Sequence, residues 1–302
     1  MKLAAFRHAG RDTWGSVEAD RIVEAPAGLC AQVSGVADAL ALSPAELARH
    51  FVAGLPRLRL CSVQLLPPVA NPGRILCVGL NYRAHIEEVA REMPKHPTVF
   101  LRANDTLLGH GGDIVRPAVS SQLDFEGELA MVIGRGGHHI RAEDAMAHVA
   151  GYTCFNDVSV RDFQKHSVTA GKNFPATAPC GPWIVTADEV LDPTAMTVTT
   201  RLNGQQMQHA RVDTLVYPLA ELIAYLSSIA PLRRGDIIAT GTPAGVGSGR
   251  KPPLWMKPGD RIEVEIEGVG TLANTVVAEP TLQDGSGHRA QGPGNAEQSA
   301  AH

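Results

Sequence analysis

Glu126 and Glu128, in the stretch DFEGELAMVIG, stand two apart at the head of an apolar run. Side chains alternate between the faces of a strand, so both carboxylates point the same way and lie close together. Leu129 to Ile133 behind them is apolar on both parities, which predicts a strand buried on both faces. Like charges at the mouth of a buried strand repel, and burying them unpartnered is costly, so something positive is expected beside them. Hard oxygen ligands suit Mg²⁺, Mn²⁺ or Ca²⁺. Asp157, closing the apolar strand GYTCFND, offers a third carboxylate in a comparable position. The plainer alternative is an exposed strand entry with two solvated glutamates.

A second pair lies in NYRAHIEEV. On a helix His85 and Glu88 are three apart and share a face, so the carboxylate can orient the imidazole as a general base. An ordinary surface ion pair fits the same spacing. Lys172 sits in GKNFPATAPCGPW, read as a loop rich in Gly and Pro, where it either turns inward towards an anion or is simply solvated. ATGTPAGVG (239–247) follows an apolar strand and supplies hydroxyls, backbone N–H groups and permissive glycines, a set suited to a carboxylate-binding nest. It lacks the G-K-[ST] of a phosphate loop, and the chain has no GxSxG elbow of a serine hydrolase.

The elements that must position these residues are mostly strands. RILCVGL, TVFLRA, DIVRPA, GYTCFND, PWIVTAD, MTVTTRLNG, QQMQHAR, DIIATG, DRIEVEIEGVG and TLANTVVA read as strands or hairpin arms between Gly and Pro turns. Helices are expected over NYRAHIEEVARE, AEDAMAHV, VSVRDFQKH and PLAELIAYLSSIA. Ser43 and Glu46 in SPAELARHFVAGL form a capping-box signal for a short helix. Strands outnumber helices without regular alternation, so the fold class is α+β and not a Rossmann sheet. The Pro/Gly segment QLLPPVANPG suggests a small N-terminal domain over 1–70 and a catalytic domain over 71–280. The polar, Gly-rich stretch 281–302 reads as a disordered tail.

With 302 residues, 44% of them hydrophobic, the chain can bury a sizeable core. Its net charge of −4 and the lack of a long basic run argue against a nucleic-acid partner. No apolar run approaches the ~18 residues of a membrane span. The N-terminus lacks a secretory leader pattern, which makes a cytoplasmic protein the expectation. The five cysteines form no C-x-x-C pair and are expected to be reduced and structural.

In combination the motifs are more specific than any one of them. GLNYRAH-x-x-E, DFEGELAMVIG, NDVSVRDFQ, GKNF…GPW and TGTPAGVG, in that order over roughly 74–278, resemble the fumarylacetoacetate hydrolase superfamily. The resemblance implies a mixed β-roll catalytic fold with a small N-terminal α/β domain, assembled as a homodimer. It implies Mg²⁺ or Mn²⁺ held by Glu126, Glu128 and Asp157. The family's dyad falls on His85 and Glu88, in a segment that orders as a lid, and its lysine falls on Lys172. Arg161, Gln164, Thr242, Gly241 and Tyr82 match positions that contact a small 2-oxo acid substrate or support the site. The implied reaction is hydrolysis of the C–C bond of an acylpyruvate such as fumarylpyruvate, giving pyruvate and an acid in aromatic-compound catabolism. The alternatives are an isomerase of the 2-hydroxyhepta-2,4-diene-1,7-dioate type and an oxaloacetate decarboxylase or tautomerase. Retention of both His85 and Glu88 favours hydrolysis. Arg102 and His110, where the family more often has Lys and Pro, point to a reshaped distal pocket. A non-catalytic protein with a structural cation is the reading from another class.

Overall fold

The computed structural model describes residues 1–280, so the stretch read as a disordered tail lies outside the described residues. Two sheets make the body, one of twelve strands and one of five. At the centre of the larger sheet, Gly127–Ile133 runs antiparallel to Val149–Asn156 on one side and to Ile237–Ala239 on the other. Ile237–Ala239 in turn pairs in parallel with Ile75–Gly79.

Every residue of Gly127–Ile133 is buried, as its two-sided apolar pattern predicts. Leu129, Met131 and Ile133 pack in one cluster with Val198, Val264 and Leu272 of the five-stranded sheet and with Ile223 of helix Leu219–Ile229. Ala130 and Val132 face the other way, into a cluster with Leu3, Leu29, Val36 and Leu47 from the N-terminal segment. That segment also continues the large sheet, because Lys2–His8 pairs with Ala178–Thr186. The Ser43–Glu46 capping box forms in both halves and starts helix Pro44–Ala48.

Pairing directions decide where chemistry can sit. Ile75–Gly79, Val149–Asn156 and Ile237–Ala239 all end where Gly127–Ile133 begins. The segments carrying His85, Asp157 and Thr242 follow those ends, and Glu126 and Glu128 stand at that beginning. One edge of the sheet thus collects all four motifs.

Several local expectations differ from what forms. The helix expected over NYRAHIEEVARE stops at Glu88, covering Arg83–Glu88 only. Ala90 takes a positive φ of 51°, its N–H bonds to Glu87 O, and Arg91 N–H bonds to Ile86 O, so a Schellman-type cap ends the helix. AEDAMAHV forms 3₁₀ turns over Ala142–His148, without a side-chain cap, because so short a segment cannot sustain an α-helix alone. In VSVRDFQKH, Ser159–Val160 is a strand paired with Leu123–Asp124, and only Arg161–Gln164 is helical. Cys77, Cys154 and Cys180 are buried and free, whereas Cys61 is exposed and takes no part in the core. Among the described residues no helix is long and apolar enough to cross a membrane.

Candidate active site

The carboxylates of Glu126, Glu128 and Asp157 converge, with one oxygen from each within 4.8 Å of the others. Backbone bonds set this up: Asp157 N–H donates to Glu126 O at 2.8 Å, and Asn156 Oδ1 accepts from Glu126 N at 3.0 Å. Gly127, between the two glutamates, points to the opposite face. A Cβ there would lie 2.1 Å from Thr200 Oγ1 and 3.2 Å from Val264, so the five-stranded sheet leaves room for glycine alone.

Cations surround the triad. Lys172 Nζ donates to Glu126 Oε2 at 2.6 Å and to Asp157 Oδ2 at 2.5 Å. The side chain of Lys172 is 1% exposed, which settles inward against solvated. It ends a short helix, Val168–Lys172, and does not lie in a loop as the sequence suggested. Ser167 caps that helix, and Gly171 lets it approach Arg161–Gln164, since a Cβ would meet Gln164 at 2.5 Å. Arg161 pairs with Glu126 at 2.6 Å and with Asp124 at 2.8 Å, and donates to Gln164 Oε1 at 2.9 Å.

Burial alone would raise the Glu126 carboxyl, but Arg161 and Lys172 outweigh it and hold it near about 2. Burial raises Glu128 well above the usual carboxylate range, and repulsion from Asp157 and Glu126 adds to it. Glu128 accepts only Gly241 N–H, at 2.8 Å, and has no cationic partner among the described residues. Three buried carboxylates, one of them without a counter-ion, fit a hard divalent cation. Glu126, Glu128 and Asp157 are the side chains that would hold it.

Glu126 and Glu128 face a cavity of about 870 Å³, whose wall does not include Asp157. His85, Glu88, Glu126, Glu128, Lys172 and Thr242 line it, as do Arg161 and Gln164. His85 Nδ1 lies 3.2 Å from Glu88 Oε2, and Glu88 Oε1 accepts Gly245 N–H at 2.9 Å. The carboxylate accepts from Nδ1, which leaves Nε2 as the basic nitrogen. The surface-pair alternative is not what forms: His85 is 5% exposed.

Tyr82 and Gly241 are not in the cavity wall. Tyr82 is packed in the core with Leu76, Val212 and Leu215, and Gly241 acts through its N–H on Glu128. Arg102 does not shape a distal pocket either. Its side chain is fully buried, pairs with Asp157 Oδ1 at 2.5 Å, and donates to Thr177. His110 accepts from Ala273 N–H at 3.1 Å, against the five-stranded sheet.

Two supporting residues went unread in the sequence. Asp124, fully buried, accepts from Arg161 Nε and from the N–H groups of Gly247 and Ser248. Gln208 takes Gly127 N–H on Oε1 and donates from Nε2 to Thr242 Oγ1 and Pro243 O, both at 2.7 Å. Asp124 was visible only as the D of DFEGE, and Gln208 sits in a strand with no chemical pattern.

The family described as fumarylacetoacetate (FAA) hydrolase C-terminal matches residues 74–277. The chain belongs to the fumarylacetoacetate hydrolase family. It is 44% identical over 224 residues to oxaloacetate tautomerase YisK of Bacillus subtilis, covering 72% of this chain and 74% of that one. It is 41% identical over 232 residues to oxaloacetate tautomerase Fahd2a, mitochondrial, of Rattus norvegicus, covering 76% and 74%. Maleylpyruvate hydrolase of Sphingobium sp. SYK-6, solved with manganese(II) and pyruvate, superposes with a TM-score of 0.77 at 31% identity, covering 93% of this chain and all of that one. The expected α+β, sheet-rich family fold is thus the fold that forms.

Proposed function

We propose that this family member is a divalent-cation-dependent tautomerase that interconverts the keto and enol forms of a 2-oxo acid, with oxaloacetate as the compound to test first. This shifts the balance from the C–C hydrolysis that the sequence favoured to its alternative. The observation that carries the reading is one cavity lined by Glu126 and Glu128 of the carboxylate triad and by the His85–Glu88 pair, in a chain whose relatives at 41% and 44% identity are named oxaloacetate tautomerases.

A divalent cation held by the triad supplies Lewis-acid polarisation of the 2-oxo acid. The chain's own groups do the rest. His85 Nε2 takes a proton from the carbon beside the keto group, and its return to the keto oxygen gives the enol with no net change of atoms. Glu88 holds the imidazole in the tautomer that leaves Nε2 free. Lys172 and Arg161 stabilise the negative charge that develops in between.

With Mg²⁺, the protein should accelerate decay of the enol absorbance of oxaloacetate, and EDTA should abolish the acceleration. Interconversion no faster than the buffer alone would end this reading. Hydrolysis is the second reading, favoured by the same dyad and by the manganese–pyruvate complex of the maleylpyruvate hydrolase. Release of pyruvate from fumarylpyruvate or acetylpyruvate would mark it, and CO₂ from oxaloacetate would mark decarboxylation.

A further inference from the structure

A second cavity lies at the far end of the central strand. Glu126 and Glu128 stand at the head of Gly127–Ile133, and the turn 134–137 follows its foot. At ~3.3 Å per residue, that turn is about 20 Å from the triad. The cavity there measures about 370 Å³ and shares no lining residue with the active-site cavity. Arg135, Gly136, His148 and Arg234 give it a polar wall, with Leu40 and Val149 among its apolar residues. Among the described residues no acidic side chain lines it, and neither guanidinium has a carboxylate within ion-pair distance.

Arg135 is held in place without being neutralised. Buried His148 donates from Nδ1 to Arg135 O at 2.7 Å, and its Nε2 accepts from Arg135 Nη2 at 3.0 Å. An imidazole that donates from one nitrogen and accepts at the other is neutral, so the guanidinium keeps its charge and its remaining donors. The turn carrying Arg135 is closely packed. A Cβ at Gly134 would lie 2.6 Å from Ala150 Cβ, and one at Gly136 would lie 2.7 Å from Leu232 O. Gly136 N–H has no protein partner among the described residues. Arg234 comes from a turn fixed by Arg233 N–H on Asp236 Oδ2 at 2.9 Å and by Gly235 N–H on Ile133 O at 2.8 Å. Two guanidiniums and a free N–H, with no acid against them, suit a doubly charged oxyanion. The volume sits at the low end of small-molecule sites and leaves room for more than a bare phosphate.

We propose that this cavity is a binding site for a small phosphomonoester, separate from the active site. Arg135 and Arg234 hold the phosphate, Gly136 N–H is a further donor, and the apolar wall takes the organic part. Leu40 and Ala41 in the lining belong to the N-terminal segment, and the other lining residues follow or flank the central strands. The occupant therefore clamps the N-terminal segment to the central sheet.

The test is calorimetry on the full-length protein in EDTA, so that no metal at the triad can hold a phosphate. Phenyl phosphate should bind, and benzoate, with a single charge, should bind about tenfold more weakly. Arg135→Met and Arg234→Met, both at exposed positions, should each weaken phenyl phosphate by about tenfold or more. They lie in different turns, so one remains informative if the other does not fold. Arg250→Met, in the wall of the active-site cavity, should leave the affinity unchanged. Bound phenyl phosphate should slow amide exchange at 40–41 and 134–136 and raise the melting temperature. Binding lost in Arg250→Met but kept in Arg135→Met and Arg234→Met would put the phosphate in the active-site cavity and overturn the site. Benzoate binding as tightly as phenyl phosphate would overturn the phosphomonoester assignment. No binding of phenyl phosphate at millimolar concentration would end the proposal. None of these readouts uses turnover of a 2-oxo acid, so this site and the tautomerase reading stand or fall separately.

Discussion

Glu128 carries an electrostatic problem that the other two triad members do not share. Glu126 and Asp157 each have a buried cation against them, whereas Glu128 has one backbone N–H. Burial and its two neighbours therefore raise its carboxyl, and a cation entering the triad must displace a proton. Mn²⁺ affinity should rise as pH climbs above the usual carboxylate range and through the window in which Glu128 loses its proton, with proton release visible as a buffer-dependent binding heat. A Kd flat across that window would contradict this. Glu128→Gln is neutral, like the protonated carboxyl it replaces, so its metal-free melting temperature should be no lower than that of the wild type, and the gain given by Mn²⁺ should vanish. His85→Ala should behave in the opposite way. It should keep the Mn²⁺ gain and lose turnover by ~10²–10⁴-fold, the usual worth of a positioned acid–base group. Arg102→Met should destabilise the protein by ~3–5 kcal/mol in denaturant titration, because it strips Asp157 of a fully buried partner.

The strand headed by Glu126 and Glu128 works because of what presses on its other face. Glycine at 127 admits Thr200 and Val264 from the five-stranded sheet, and Gln208 from that sheet bonds both Gly127 and the loop after Ala239. Gly127→Ala should therefore cost ~1–3 kcal/mol, an overpacking effect read as a lower melting temperature. The alternation of E-G-E and the apolar LAMVI made the strand and its two buried faces legible in advance. Helix ends were less legible. Arg83–Glu88 stops through a left-handed alanine that no local propensity favours, and Lys172 reaches the triad on a helix whose approach depends on Gly171. Both are settled by packing partners distant in sequence.

Across the whole molecule, the first 70 residues are bound into the same sheet and core as the strands that carry the site. Leu3 pairs with Ile184, and Leu29, Val36 and Leu47 cover Ala130, Val132 and Cys77. A fragment beginning at residue 71 would expose that face of the central sheet. It should melt well below the full chain or aggregate at the same concentration. A fragment with the full-length melting temperature and the same Mn²⁺ gain would show that the N-terminal strands add nothing to the site's footing.

From the residues alone came the carboxylate triad, the His85–Glu88 spacing, Lys172 and the sheet-rich class. Their types and periodicity are local properties, and their joint order is what resembles the family. Distances between them were another matter. The cationic partners Arg102 and Arg161, the supports Asp124 and Gln208, and the core position of Tyr82 all depend on strand order and parallel or antiparallel pairing. Sequence patterns constrain which face a side chain takes, but only the closed pair of sheets decides which charge it meets there.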